Sequence, residues 1–169
     1  TLGHIIDRLI FFRALNKPLK NTILIVGNPR SGTTFFQRYM VNNGIGVGSK
    51  IWQMLYPSII LQKMIKPFLP MLEKLSPTRY HSKAAHVTSL QSVETDDVAI
   101  FFRFYDGFFL YGFILSWAEE DLFEWMDPRV RDTTQRDYKW LESIWLRNQY
   151  VSGMNRSVAK LFSLSAVLP

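Results

Sequence analysis

Eight consecutive residues, Gly27-Asn-Pro-Arg-Ser-Gly-Thr-Thr34, have the types and spacing that anion chemistry needs. Gly27 and Gly32 allow the backbone to turn sharply and to come close to a ligand. Amides that lead into a helix N-terminus offer unpaired N–H groups and the positive end of the helix dipole. Arg30 adds a planar guanidinium suited to two-pronged contact with phosphate or sulfate oxygens, and Ser31, Thr33 and Thr34 add hydroxyl donors. Gly27, Gly32 and Thr34 fit the nucleotide phosphate loop G-x-x-x-x-G-K-[ST], but Thr33 stands where that loop has lysine. In NTPases the lysine contacts the terminal phosphates, so its absence disfavours an ATPase or GTPase. The competing reading is an ordinary strand-to-helix turn capped by its own threonines, which the flanking apolar strand and helix argue against.

The stretch Asn28-Pro-Arg-Ser-Gly-Thr-Thr-Phe-Phe36 resembles the 5′-phosphosulfate-binding loop of the sulfotransferases, written P-[RK]-[ST]-G-[ST]-[ST]. The resemblance implies a P-loop-like α/β fold that uses 3′-phosphoadenosine 5′-phosphosulfate (PAPS) as sulfuryl donor, with no metal. Arginine at position 30 is similar to the bacterial and Golgi carbohydrate-type branches. By matched position, the donor-binding residues are Asn28, Pro29, Arg30, Ser31, Gly32, Thr33 and Thr34, with Arg30 also on the leaving phosphate. The implied acceptor is a hydroxyl or amine on a sugar, lipid or small metabolite. In the family, an arginine and a serine that hold the 3′-phosphate follow a later strand. The resemblance therefore makes residues 1–169 a single partial domain, incomplete at its C-terminus.

Transfer to a hydroxyl needs a general base, which in this family is a histidine in some members and a glutamate in others. The candidates are His86, Glu94, Asp96 and Asp97, with His81 behind them. His86 is preferred because an imidazole changes charge near neutral pH; the competing role is a hydrogen-bonded structural histidine. For the acidic group the competing role is capping of the next helix by Thr95 or Asp96. Lys160 falls inside an apolar strand pattern, where a charge requires a partner. Either it reaches the donor site beside Ser163, at the strand end where open α/β sheets bind ligands, or it pairs with a carboxylate.

The elements that must hold these residues follow from periodicity. Asn21-Thr-Ile-Leu-Ile-Val-Gly27 reads as a short strand buried on both faces. Residues 33–43 read as a helix stopped by Asn43-Gly44. Residues 51–75 are helical but broken at Pro57, Pro67 and Pro70, and residues 82–97 read as a polar loop on the surface. A buried helix is expected over the apolar stretch 98–118, and most of its aromatic residues are expected in the core. Asp132-Thr-Thr-Gln135 has the pattern of a capping box for a helix that runs to Gly153. Residues 157–162 form a second strand, parallel to the first. The expected class is α/β: a P-loop-like parallel sheet flanked by helices, helix-rich overall.

The 169 residues are 47% hydrophobic and 15% aromatic, which excludes a disordered segment and suits one domain. The absence of cysteine removes disulfides and thiolate chemistry, and three scattered histidines imply no zinc site. Charge is uneven. Residues 1–85 carry 12 Lys/Arg against Asp7 and Glu73, whereas residues 86–169 carry 8 against 12 acids. A basic first half suits an anionic ligand or surface; nucleic acid is not expected, since no recognition motif accompanies the charge. Residues 1–18 form an amphipathic leading helix, with Arg8, Arg13 and Lys17 on its polar side. Packing on its own domain is the first reading for its apolar face, and peripheral membrane contact the second. Two other functions compete with the sulfotransferase: a P-loop nucleotide or nucleoside kinase, and a non-catalytic anion- or membrane-binding module.

Overall fold

A computed structural model describes residues 2–28, 30–76, 88–118, 120 and 122–163 of the chain, apart from the side chain of residue 123. Strand β1 (Thr22–Val26) and strand β2 (Ser157–Leu161) pair in parallel, with Thr22 opposite Ser157 and Val26 opposite Leu161. Parallel strands need a long crossover, and here it holds most of the helices. Every residue of β2 is buried, but only Ile25 of β1 is. The result is a mostly helical α/β protein in which helices pack on a two-stranded sheet.

Helix α3 (Thr33–Asn42) covers one face, where Met40 packs with Ile25 and Val158. Helix α8 (Thr134–Ser152) covers the other, and Leu141, Ile144 and Trp145 meet Ala159 and Leu161. The main core is completed by Met54 of α4 (Ile51–Leu55) and by Ala99 and Ile100 of α7 (Asp97–Phe104). Alternation along β2 therefore divides its side chains between two cores.

Helix α3 ends where the sequence placed its stop: Asn43 caps it and Gly44 follows with φ +70°. Pro57 separates α4 from α5 (Ile59–Ile65). Pro67 and Pro70 instead sit in the first turns of a 3₁₀ segment and of α6 (Leu69–Leu75), where a missing N–H costs nothing. Helix α8 starts at a Thr133 cap rather than a capping box: Thr133 donates to Asp137 (2.8 Å) and Asp132 accepts from the Thr134 amide (2.9 Å).

Other expectations need correction, beginning with β1, whose Leu24 is exposed where burial on both faces was expected. The stretch 98–118 is not one buried helix: α7 stops at Tyr105 (φ +50°), Asp106 is buried against Arg131 and Arg136 (2.5 and 2.6 Å), and a π-helical turn follows at Leu110–Ile114. Its aromatic residues divide as well: Phe108 is core, whereas Tyr105, Phe113 and Trp117 are exposed. The run from Val93 to Asp97 is no surface loop, since all five residues are buried. The leading helix is in fact two, α1 (Leu2–Ile10) and α2 (Phe12–Leu15); the α1 face that carries Asp7 turns inward, while Arg8, Arg13 and Lys17 stay exposed. Asp7 is fully buried, accepting from the Ile59 and Ile60 amides (2.8 and 3.2 Å) and from Arg147 (3.2 Å), while Leu2, Ile5 and Leu9 face solvent.

Candidate functional site

The segment 27–34 joins the C-terminal end of β1 to the N-terminus of α3. Gly32 adopts φ +78°, a conformation in which a Cβ is strained, although open space surrounds it. Gly27 has a different role: a Cβ there would lie 2.8 Å from the Thr33 methyl and 3.1 Å from the Ser31 hydroxyl. The turn is tied at its base by the Ser31 hydroxyl and amide, both donating to the Asn28 carbonyl (2.6 and 3.3 Å). Among the described residues, no carbonyl accepts from the amides of Gly32, Thr33, Thr34 or Phe35. These are the unpaired N–H groups that a helix start presents to an anion.

Arg30 also has positive φ (+69°), which costs a residue with a Cβ roughly 1–2 kcal/mol. Its side chain is exposed and has no ion-pair partner among the described residues. A strained backbone carrying an unused guanidinium is a feature of ligand-clamping loops. Pro29, His81 and His86 lie outside the described residues.

Lys160 joins the loop from the neighbouring strand. It is opposite Ile25 in the sheet and buried, and its ammonium donates to the Thr34 hydroxyl at 2.6 Å. The same nitrogen lies 4.3 Å from the centre of the Phe162 ring, a cation–π contact. Burial pulls this ammonium below its usual pKa, and the negative charges of Glu94 and Asp97 oppose that pull. Of the two sequence readings for Lys160, its hydrogen bond goes to the loop. A lysine from β2 thus brings charge to a loop that has Thr33 at its own lysine position.

One helical turn below Thr34, Arg38 donates to the Val93 carbonyl (3.2 Å) and forms an ion pair with Glu94. The i, i+4 spacing puts Thr34 and Arg38 on one face of α3. That spacing was the available sequence signal for Arg38, but its partner is 56 residues away. Glu94 is therefore close to the loop, but as half of an ion pair.

Asp96 and Asp97 are structural. Asp96 accepts from Ser49 (2.6 Å), the Trp145 indole (2.9 Å) and the Lys160 amide (2.9 Å). Burial raises its pKa to about 6, against the lowering effect of these three donors. Asp97 accepts from Thr95 (2.6 Å) and from the Phe162 and Ser163 amides (2.7 and 3.0 Å). The expected helix cap is not formed: Asp96 makes no side-chain cap, and Thr95 turns to Asp97 and to the Lys160 carbonyl (3.0 Å). Together these residues clamp the end of β2 and so hold Lys160 in place.

An apolar cavity of about 220 Å³ opens on the α8 side of the strand ends, lined by Leu24, Phe108, Trp125, Tyr138, Leu161 and Ser163 among others. Among the described residues no cluster of His, Asp and Glu could hold a metal ion. Comparison with protein-family models, curated proteins and solved structures finds no match to this chain.

Proposed function

We propose that the chain binds PAPS at the 27–34 loop and carries the donor half of a sulfotransferase site on a P-loop-like sheet. The observation that carries this reading is one turn that combines four amides with no backbone partner among the described residues, Arg30 at positive φ and the Lys160 ammonium on Thr34. In that reading the amides of Gly32 to Phe35 receive the 5′-phosphate. An acceptor hydroxyl or amine attacks sulfur in line, the bond from sulfur to the bridging oxygen breaks, and its electron pair passes to the departing phosphate. Arg30 and Lys160 stabilise the charge that builds there, an effect largest where water is excluded. The acceptor proton goes to a base, for which His86 is the first choice and Glu94, released from Arg38, the second. The cavity beside Leu24 and Ser163 suits an acceptor with an apolar or aromatic body.

One observation favours a second reading. Lys160 supplies a cation to the loop that Thr33 does not, so a nucleotide kinase remains the competitor. Calorimetric titration of the full chain with 3′,5′-phosphoadenosine and with Mg-ATP separates the two. Micromolar binding of the bisphosphate with no response to ATP is expected; binding of ATP alone overturns the sulfotransferase.

A further inference from the structure

Helix α1 is amphipathic in the opposite sense to a helix that packs on its own core. Asp7 anchors it, fully buried among the α5 amides and Arg147. Gly3 allows close approach at the same seam, since a Cβ there would lie 2.8 Å from the Ser58 hydroxyl. At 100° per residue, Leu2, Ile5 and Leu9 lie on the side opposite Asp7. Leu2 and Leu9 are about three-quarters exposed (74% and 76%), and Phe12 continues the ridge on α2 at 62%.

The ridge has charge beside it. Between α1, α7 and α8 runs an open groove of about 330 Å³, lined by Arg8, Arg103, Arg136, Lys139 and Arg147 and by no carboxylate among its described residues. Arg147 and Arg136 are committed to Asp7 and to Asp106 and Asp137. Arg8, Arg103 and Lys139 have no ion-pair partner among the described residues. At the other end, Arg13 and Lys17 line a second groove together with Leu9 and Phe12. The two acids of residues 1–76 are both engaged, Asp7 as described and Glu73 with the Leu90 amide (3.1 Å).

We infer that α1 and α2 form a docking face for an anionic phospholipid bilayer. Leu2, Ile5, Leu9 and Phe12 enter the boundary between headgroups and acyl chains, while Arg8, Lys139, Arg13 and Lys17 meet lipid phosphates. An exposed apolar ridge flanked by cations with no ion-pair partner among the described residues matches the chemistry of that surface on both counts. A second copy of the chain fits less well, because two such faces would set cations against cations. The inference is independent of the donor-site reading: no residue of the 27–34 loop takes part.

The test is co-sedimentation of the full chain with phosphatidylcholine vesicles, either pure or containing about one-third phosphatidylserine. Binding is expected to the mixed vesicles only and to weaken as salt rises. Ile5→Glu/Leu9→Glu should abolish it while leaving the melting temperature and 3′,5′-phosphoadenosine binding unchanged, since both side chains face solvent. Arg8→Gln and Lys139→Gln should each lower the partition coefficient about fivefold. No binding to anionic vesicles, equal binding to neutral ones, or undiminished binding by the double glutamate variant overturns the proposal. So does a concentration-dependent dimer that this variant abolishes without any vesicle binding, which would make the ridge a contact between copies.

Discussion

Arg30 and Lys160 bring charge to the same turn in different ways. Arg30 reaches it from within the loop at the cost of left-handed backbone, and Lys160 from an adjacent strand at the cost of burial. Hydrogen bonds to charged groups are worth about 1.5–3 kcal/mol. Arg30→Ala and Lys160→Met are each expected to weaken 3′,5′-phosphoadenosine binding by about ten- to a hundredfold in a titration. In the proposed sulfuryl transfer, loss of one preformed donor to the leaving group is expected to cost about 10²–10³ in turnover. Methionine fills the space of the lysine stem, so the Lys160 variant should keep the wild-type melting temperature within a few degrees. Wild-type affinity in both variants would remove the loop from the donor site. Of the two residues, Arg30 was visible in a local motif, whereas Lys160 was visible only as a charge out of place, its partner Thr34 being 126 residues away.

Among the elements, α1 depends most on a single residue. Asp7 accepts from Ser58, the Ile59 and Ile60 amides and Arg147, and so joins α1, α5 and α8 at one buried point. Truncating one partner of a buried ion pair strands the other, typically at about 3–5 kcal/mol. Asp7→Ala is expected to lower the urea midpoint by a corresponding amount, and Asp7→Leu/Arg147→Met to recover much of the loss because no buried charge is then left alone. Equal destabilisation by the single and double variants would show that the amide contacts, not the ion pair, hold the helix. The apolar periodicity of residues 5–15 gave the helical state correctly, but not its orientation. Hydrophobic pattern favours burial of Leu9, yet satisfying one carboxylate and two amides turned the opposite face inward.

For the whole molecule, the half-buried His4 and the buried Asp96 act in opposite directions in acid. Burial, helped by Arg147, lowers the pKa of His4 from 6.5 to about 4, and its ring stacks on Trp140 at 5.2 Å. Between those pH values the unfolded chain binds the proton and the native one does not, so stability is lost as pH falls. Burial raises Asp96 from 3.8 to about 6. In that window the native state binds the proton and the unfolded state does not, so stability is gained as pH falls. The two effects oppose each other between about pH 4 and 6. His4→Phe keeps the stacking and removes a buried nitrogen that has no hydrogen-bond partner among the described residues. Its urea midpoint is expected to rise relative to wild type as pH drops from 7 to 4; parallel curves would mean that His4 titrates normally in the folded state.

Most of what the sequence determined by itself was local. The turn at 27–34, the strand before it, the helix after it and the stop at Asn43-Gly44 all rest on neighbouring residues whose backbone preferences act over a few positions. The pairing of residues 157–161 with 22–26 was also legible, because a short apolar strand must find another edge. Tertiary structure alone decided that Val93 to Asp97 is buried, that Asp96 and Asp97 hold β2, that Glu94 pairs with Arg38, and that α1 shows its apolar side to solvent. Each of those outcomes is a contact between residues 50 or more positions apart in the chain. Which polar groups meet inside the core is settled only when distant elements compete to satisfy them, and no local pattern records the winner.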